Sequence, residues 1–264
     1  MKPSAYDLLE RVRQQKPLVH HLTNWVTIYD CAQVVKTLGA SPVMAHAVEE
    51  AAEMTQIASA LVLNIGTLTV EFVEAMKLAA KSANRKGIPV ILDVCGAGAT
   101  GLRDRKCLEL LNDARIDVIK GNASEVARVS GESVKTRGVD ATEVAGDLAR
   151  LAQRLAAQRN ATVVVTGPVD IATDGKQIYR IANGHEMMAH VVGTGCMATS
   201  MIGTFAAVER DLAAAAAGAL AIFGIAAEVA AEKAPGPAAF KVRLFDSLYS
   251  LDRTTVERRQ RIAA

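Results

Sequence analysis

Short apolar runs alternate along the chain with longer stretches whose apolar positions recur every three or four residues. Residues 61–65, 89–94, 116–119 and 162–165 are β-branched or leucine-rich with little polar interruption, as strands covered on both faces require. Between them, 69–85 carries Val70, Val73, Met76 and Leu78 at helical spacing, and 140–159 carries Val144, Leu148, Leu151 and Leu155. This alternation predicts an α/β fold with a mostly parallel central sheet and helices on both faces. After Thr166 the rhythm changes. Residues 169–173 and 177–182 flank Asp174-Gly175, a dipeptide suited to a tight hairpin turn, so an antiparallel edge is expected.

From Gly193 onward the pattern is of successive helices rich in Ala and Gly, small residues that allow close approach of helix to helix or helix to sheet. Two stretches there, 191–208 and 212–227, imitate a membrane span. The first carries Gly, Thr and Ser throughout and the second is short and mostly alanine, so both are expected to be buried helices. Residues 1–16 are expected to form an amphipathic helix with Tyr6, Leu8, Leu9 and Val12 on its apolar side, with no apolar stretch followed by a cleavage signature. The tail 253–261 is a charged, solvated helix. With no repeat or linker in sight, residues 1–264 are expected to form a single domain.

Composition narrows the partner. Thirty basic against 28 acidic side chains leave a formal charge of +2, too little to draw nucleic acid or an anionic membrane, so the partner is a small molecule. The four cysteines, Cys31, Cys95, Cys107 and Cys196, have neither disulfide-framework nor zinc-ligand spacing, which fits a reducing cytoplasm.

Five segments have chemistry to offer, and each also has a plain structural use. Gly193-Thr194-Gly195-Cys196 precedes a long helical pattern, so free N–H groups at that helix start make a nest for phosphate oxygens; the same G-x-G also simply turns a chain. Cys196 lies where a helix dipole lowers a thiol pKa, positioned to take the proton of a substrate hydroxyl, or is a buried inert cysteine. Asp93 ends a buried strand, where a carboxylate holds Mg²⁺ through water or caps the next turn. Lys120-Gly121-Asn122-Ala123-Ser124-Glu125 brings a second acid, Glu125, to share a hydrated magnesium and a lysine to touch nucleotide phosphate. Asn122 and Glu125 also have capping-box spacing. Thr166-Gly167-Pro168 offers a hydroxyl to phosphate, or a turn between strands. Upstream, Thr23 or Asn24 suits a helix cap, and Met44 suits either a core gap or a heteroaromatic ring.

In this order the segments resemble the hydroxyethylthiazole kinases of thiamine salvage, within the ribokinase-like superfamily. The resemblance covers Leu18 to Asn24, Gly39 to His46, Leu63 to Leu68, the Asp93 region, Lys120 to Glu125, Val165 to Gly167 and Gly193 to Cys196. It implies a ribokinase-like fold and the ATP- and Mg²⁺-dependent phosphorylation of the alcohol of hydroxyethylthiazole. Met44, Gly193 and Asn24 would then contact the thiazole, Lys120 and Thr166 the ATP, and Asp93 and Glu125 the magnesium. Cys196 stands where related sugar and pyrimidine kinases carry an aspartate base, with Gly193, Thr194 and Gly195 completing the catalytic loop. The resemblance also implies a cytoplasmic homotrimer with active sites between subunits. Departures are Lys120, where the family has arginine, and Val94-Cys95, where it reads Pro-Val. Two other functions use the same residues: a kinase for hydroxymethylpyrimidine or another small alcohol, and a catalytically impaired protein that binds thiazole or nucleotide.

Overall fold

The computed structural model describes residues 3–131 and 141–264. In chain order the elements are α1 (Ala5–Gln15), β1 (Leu18–Leu22), α2 (Ile28–Thr37), β2 (Ser41–Val43), α3 (Ala51–Ile57), β3 (Ala60–Asn64), α4 (Val70–Lys86), β4 (Val90–Asp93), α5 (Gly101–Asp113), β5 (Val118–Asn122) and α6 (Ala123–Ser130). There follow α7 (Ala141–Arg159), β6 (Thr162–Thr166), β7 (Asp170–Thr173), β8 (Ile178–Ile181), a 3₁₀ turn (Glu186–His190), α8 (Thr194–Ala206), α9 (Leu212–Ala231), α10 (Pro237–Ser250), α11 (Arg253–Arg259) and β9 (Ile262–Ala263). Asp140, where the hydrophobic pattern opens its helix, and the side chain of Val144 lie outside the described residues.

The strands form one sheet in the order β2-β1-β3-β4-β5-β6-β7-β8-β9. From β2 to β6 all neighbours are parallel, and β7, β8 and β9 continue antiparallel, so the expected hairpin edge is present. Alternate strand residues feed two cores, as a pleat of period two demands. Val62 and Ile91 join the core under α1, α2, α8, α9 and α10, whereas Leu61, Leu63, Val90 and Leu92 join the core under α4, α5, α6 and α7.

The helices behave as the small residues foretell. Helix α9 is apolar and long enough to cross a membrane, yet 78% of its most apolar stretch is buried, against α1, α8, α10 and the β7–β8 hairpin. Helix α8 lies directly on β3: a Cβ added at Gly203 would stand 2.3 Å from Val62 Cγ2. Gly203→Val is therefore expected to destabilise the fold by about 1–3 kcal/mol, the usual cost of overpacking. Thermal melting followed by circular dichroism checks this, and an unchanged Tm would mean that the helix can move off the sheet freely. The tail corrects the expectation of a solvated end. Val256 on α11 is fully buried, and β9, too short for any pattern to betray, pairs with β8.

Candidate active site

The parallel strands end along one edge of the sheet, and each end delivers a side chain of interest. In spatial order these are Met44 just past β2, Asn24 past β1, Asn64 closing β3, Asp93 closing β4, Lys120 in β5 and Thr166 closing β6. The chain winds outward in opposite directions from β1 and β3, which opens a crevice at their carboxyl ends, the place where such sheets bind ligands. Helix α8 begins over that crevice. Gly193 caps it at φ +93°, and a Cβ there would meet Thr27 Cγ2 at 2.5 Å, so only glycine fits both the turn and the space. Among the described residues no side chain caps this helix start. Its first-turn N–H groups therefore face the crevice unpaired, with the positive end of the helix dipole behind them.

Cys196 lies in that first turn. Its Sγ accepts hydrogen bonds from Asn24 Nδ2 at 3.2 Å and Asn64 Nδ2 at 3.4 Å. The neighbouring Cys95 thiol draws the Cys196 thiol below its ordinary value, to about 6, helped by Thr27 and Lys120 and opposed by burial and by Asp93. Cys196 and burial push the Cys95 thiol up, so of the two Cys196 is the one that gives up its proton more readily. The assignment agrees with the surroundings, because Cys196 has the two amide donors and the helix start. Asn24 serves as a turn cap too: its Oδ1 accepts from Thr27 N at 3.1 Å and Thr27 Oγ1 at 3.0 Å.

Behind the thiol lies a buried charge pair. Lys120 Nζ donates to Asp93 Oδ2 at 3.2 Å and to Gly195 O at 3.0 Å, with both side chains almost wholly inaccessible. Burial pushes the Lys120 ammonium pKa down, but Asp93, Cys196 and Glu125 outweigh it and hold the group charged. Two of the three lysine donors are thus already engaged. Asp93 Oδ2 further accepts from Asn64 Nδ2 at 2.9 Å and Thr199 Oγ1 at 2.6 Å.

Asp93 Oδ1 is different: it is buried and has no hydrogen-bond partner among the described residues. Glu125 Oε1 accepts from Gly96 N at 2.7 Å, and its Oε2 from Asn122 N at 2.8 Å, so the capping box is real and fixes the carboxylate in place. No group of three or more His, Cys, Asp or Glu side chains forms a metal cage among the described residues. The set suits a hydrated Mg²⁺ held through water: Asp93 brings an unpartnered hard oxygen and Glu125 an anchored carboxylate.

The structure thus gathers Asn24, Asp93, Lys120, Gly193, Gly195 and Cys196, with Glu125 behind Gly96. Thr194 turns away, its hydroxyl donating to Met188 O at 3.0 Å. Thr166, whose hydroxyl donates to Gly121 O at 3.4 Å, and half-buried Met44 stand outside the hydrogen-bonded cluster, toward opposite ends of the edge. Sequence reasoning gave no role to Asn64, Thr199 or Thr27. A signal for Asn64 was available: it closes an otherwise apolar strand, and its register partner is Asp93. Beside Gly193 a cavity of about 410 Å³ opens, lined in part by Val26, Val191, Val192 and Pro237, with the Asp30–Lys241 ion pair at 2.7 Å on its wall.

A mostly parallel sheet with an uncapped helix start and the buried acid Asp93 at its crevice fits a phosphotransferase of the ribokinase-like fold. A ribokinase-like superfamily protein from Enterococcus faecalis shares that fold, with a TM-score of 0.65 at 15% identity over 96% of this chain and 94% of its own. The model of the hydroxyethylthiazole kinase family matches residues 9–254, and the chain belongs to that family. Hydroxyethylthiazole kinase from Methanosarcina mazei is 50% identical over 249 residues, 94% of this chain and 95% of the relative. The solved structure of the hydroxyethylthiazole kinase protein from Pyrococcus horikoshii superposes with a TM-score of 0.90 at 40% identity, covering 98% of each chain.

Proposed function

We propose that the protein transfers the γ-phosphoryl group of ATP to the alcohol of hydroxyethylthiazole, in thiamine salvage. The observation that carries this reading is the placement of Cys196 Sγ, in the first turn of an uncapped helix start and facing the amide donors of Asn24 and Asn64. The alcohol O–H gives its proton to Cys196 Sγ, the oxygen attacks the γ-phosphorus, and the bond from that phosphorus to the bridging oxygen breaks, releasing ADP. N–H groups of the Gly193 to Cys196 turn receive the charge that grows on the phosphoryl oxygens. In this reading Thr166 meets the nucleotide and Lys120, buried against Asp93 and Gly195, acts on its phosphates through charge rather than contact; Asn24, Gly193 and Met44 meet the acceptor. Bound Mg²⁺, held through water by Asp93 and Glu125, would neutralise phosphate charge.

Several features support the remaining parts of the reading. The continuous sheet supports one kinase domain over 1–264. Assembly as a homotrimer, with sites between subunits, is supported by apolar side chains left open near the crevice: Trp25 is 56% exposed, Val26 67%, Tyr29 73% and Val192 72%. Work in a reducing cytoplasm is supported by four free thiols.

The test is product formation from ATP, Mg²⁺ and hydroxyethylthiazole, beside hydroxymethylpyrimidine and a panel of sugars, with products identified by mass. Preferential thiazole phosphate is expected. Preference for another acceptor would reassign the substrate, and thiazole binding with no product from any acceptor would make this a binding protein.

A further inference from the structure

Arg103 stands at the third position of α5, behind the cap Thr100, where a cation opposes the helix dipole. Its side chain turns back across the strand ends. The last ladder bond between β3 and β4 runs from Ile65 N to Asp93 O at 3.4 Å, and beyond it the two strands part. There the guanidinium takes their place: Nη1 donates to Ile65 O at 2.9 Å and Cys95 O at 3.3 Å, and Nη2 to Gly66 O at 2.8 Å. One planar fork thus ties the loop after Asn64 to the loop after Asp93.

The tie reaches the thiol through a single amide. Gly66 N, in the same peptide unit as the Ile65 carbonyl that Arg103 grips, donates to Asn64 Oδ1 at 2.9 Å, and Asn24 Nδ2 donates to the same oxygen at 3.1 Å. With its oxygen turned that way, the Asn64 Nδ2 group faces Asp93 and Cys196. A flipped amide would set its oxygen against a carboxylate and a thiolate. We infer that Arg103 is a positioning residue for phosphoryl transfer: it fixes the Gly66 peptide, which orients Asn64, which holds the Cys196 thiol in line. The inference rests on the reading of Cys196 as the base.

Arg103→Lys keeps the charge but cannot bridge two loops. It is expected to lower kcat about ten- to a hundred-fold while the KM for ATP moves less than about two-fold, the pattern of lost alignment rather than lost binding. Alkylation of Cys196 by iodoacetamide at neutral pH, followed by peptide mass, should slow along with it. Because Arg103 acts through Asn64, Arg103→Lys added to Asn64→Ala should cost little beyond Asn64→Ala alone. Additive losses would overturn the inference, as would an Arg103→Lys protein with unchanged kcat and alkylation rate. If that variant melts early, kcat per folded molecule is the quantity compared, and a wild-type value of it would equally overturn the inference. Failure of the base reading is separate: Cys196→Ala would then keep its turnover, whereas Arg103→Lys would still slow Cys196 alkylation.

Discussion

Cys196→Ala is expected to lose about 10²- to 10⁴-fold in kcat, the usual worth of a positioned general base, while ATP binds nearly as before. The separation follows from geometry. The thiol sits among Asn24, Asn64 and the first turn of α8 and bears on the acceptor hydroxyl, whereas the N–H nest at Gly193 to Cys196 is backbone and survives the substitution. Steady-state kinetics together with calorimetric titration of ATP distinguish the two effects. The pH dependence gives the same test from the other side. A base works deprotonated, so with the thiol held at about 6 the wild-type rate should be level near neutrality and fall as pH drops through that value. In Cys196→Ala that acid limb should disappear from whatever rate remains. Full turnover in the variant would take the thiol out of the mechanism, and lost ATP binding would make Cys196 a structural residue.

Much of this site was legible in the sequence because buried parallel strands announce themselves. A covered strand must be apolar on both faces, so the first charged residue after such a run marks its carboxyl end, and Asp93 was found that way. The Asn122 and Glu125 spacing likewise foretold a capping box, and the Gly-x-Gly a helix start, because both are local devices. What the sequence hid was convergence. Asn64 and Thr199 reach Asp93 across 29 and 106 residues of chain, a distance no local pattern spans. The same holds for Lys120: a lysine at a strand end suggests a solvent-facing phosphate contact, but the roof formed by Gly195 turns it into a buried partner of Asp93. β9 escaped because a strand of its length has no periodicity to detect.

That burial makes Asp93 the residue whose loss the fold should feel most. Its Oδ2 answers Lys120, Asn64 and Thr199, and its removal leaves the Lys120 ammonium inside the protein with the Gly195 carbonyl as its one remaining hydrogen-bond acceptor among the described residues. Stranding one member of a buried ion pair costs about 3–5 kcal/mol. For a chain of this size that is a fall in Tm of roughly 10 °C. Asp93→Ala is expected to show it by calorimetry and to have no measurable turnover, since the unpartnered Oδ1 goes as well. The companion variant separates the two losses. Lys120→Met placed on Asp93→Ala removes the stranded charge and should recover most of the lost stability, because apolar side chains in place of a buried pair are often neutral or better. Turnover should stay absent in the double variant. A double variant as unstable as Asp93→Ala alone would mean that the cost comes from Asn64 and Thr199 losing their acceptor, whereas an Asp93→Ala protein melting like wild type would show that water reaches Lys120 and that the pair is not sealed.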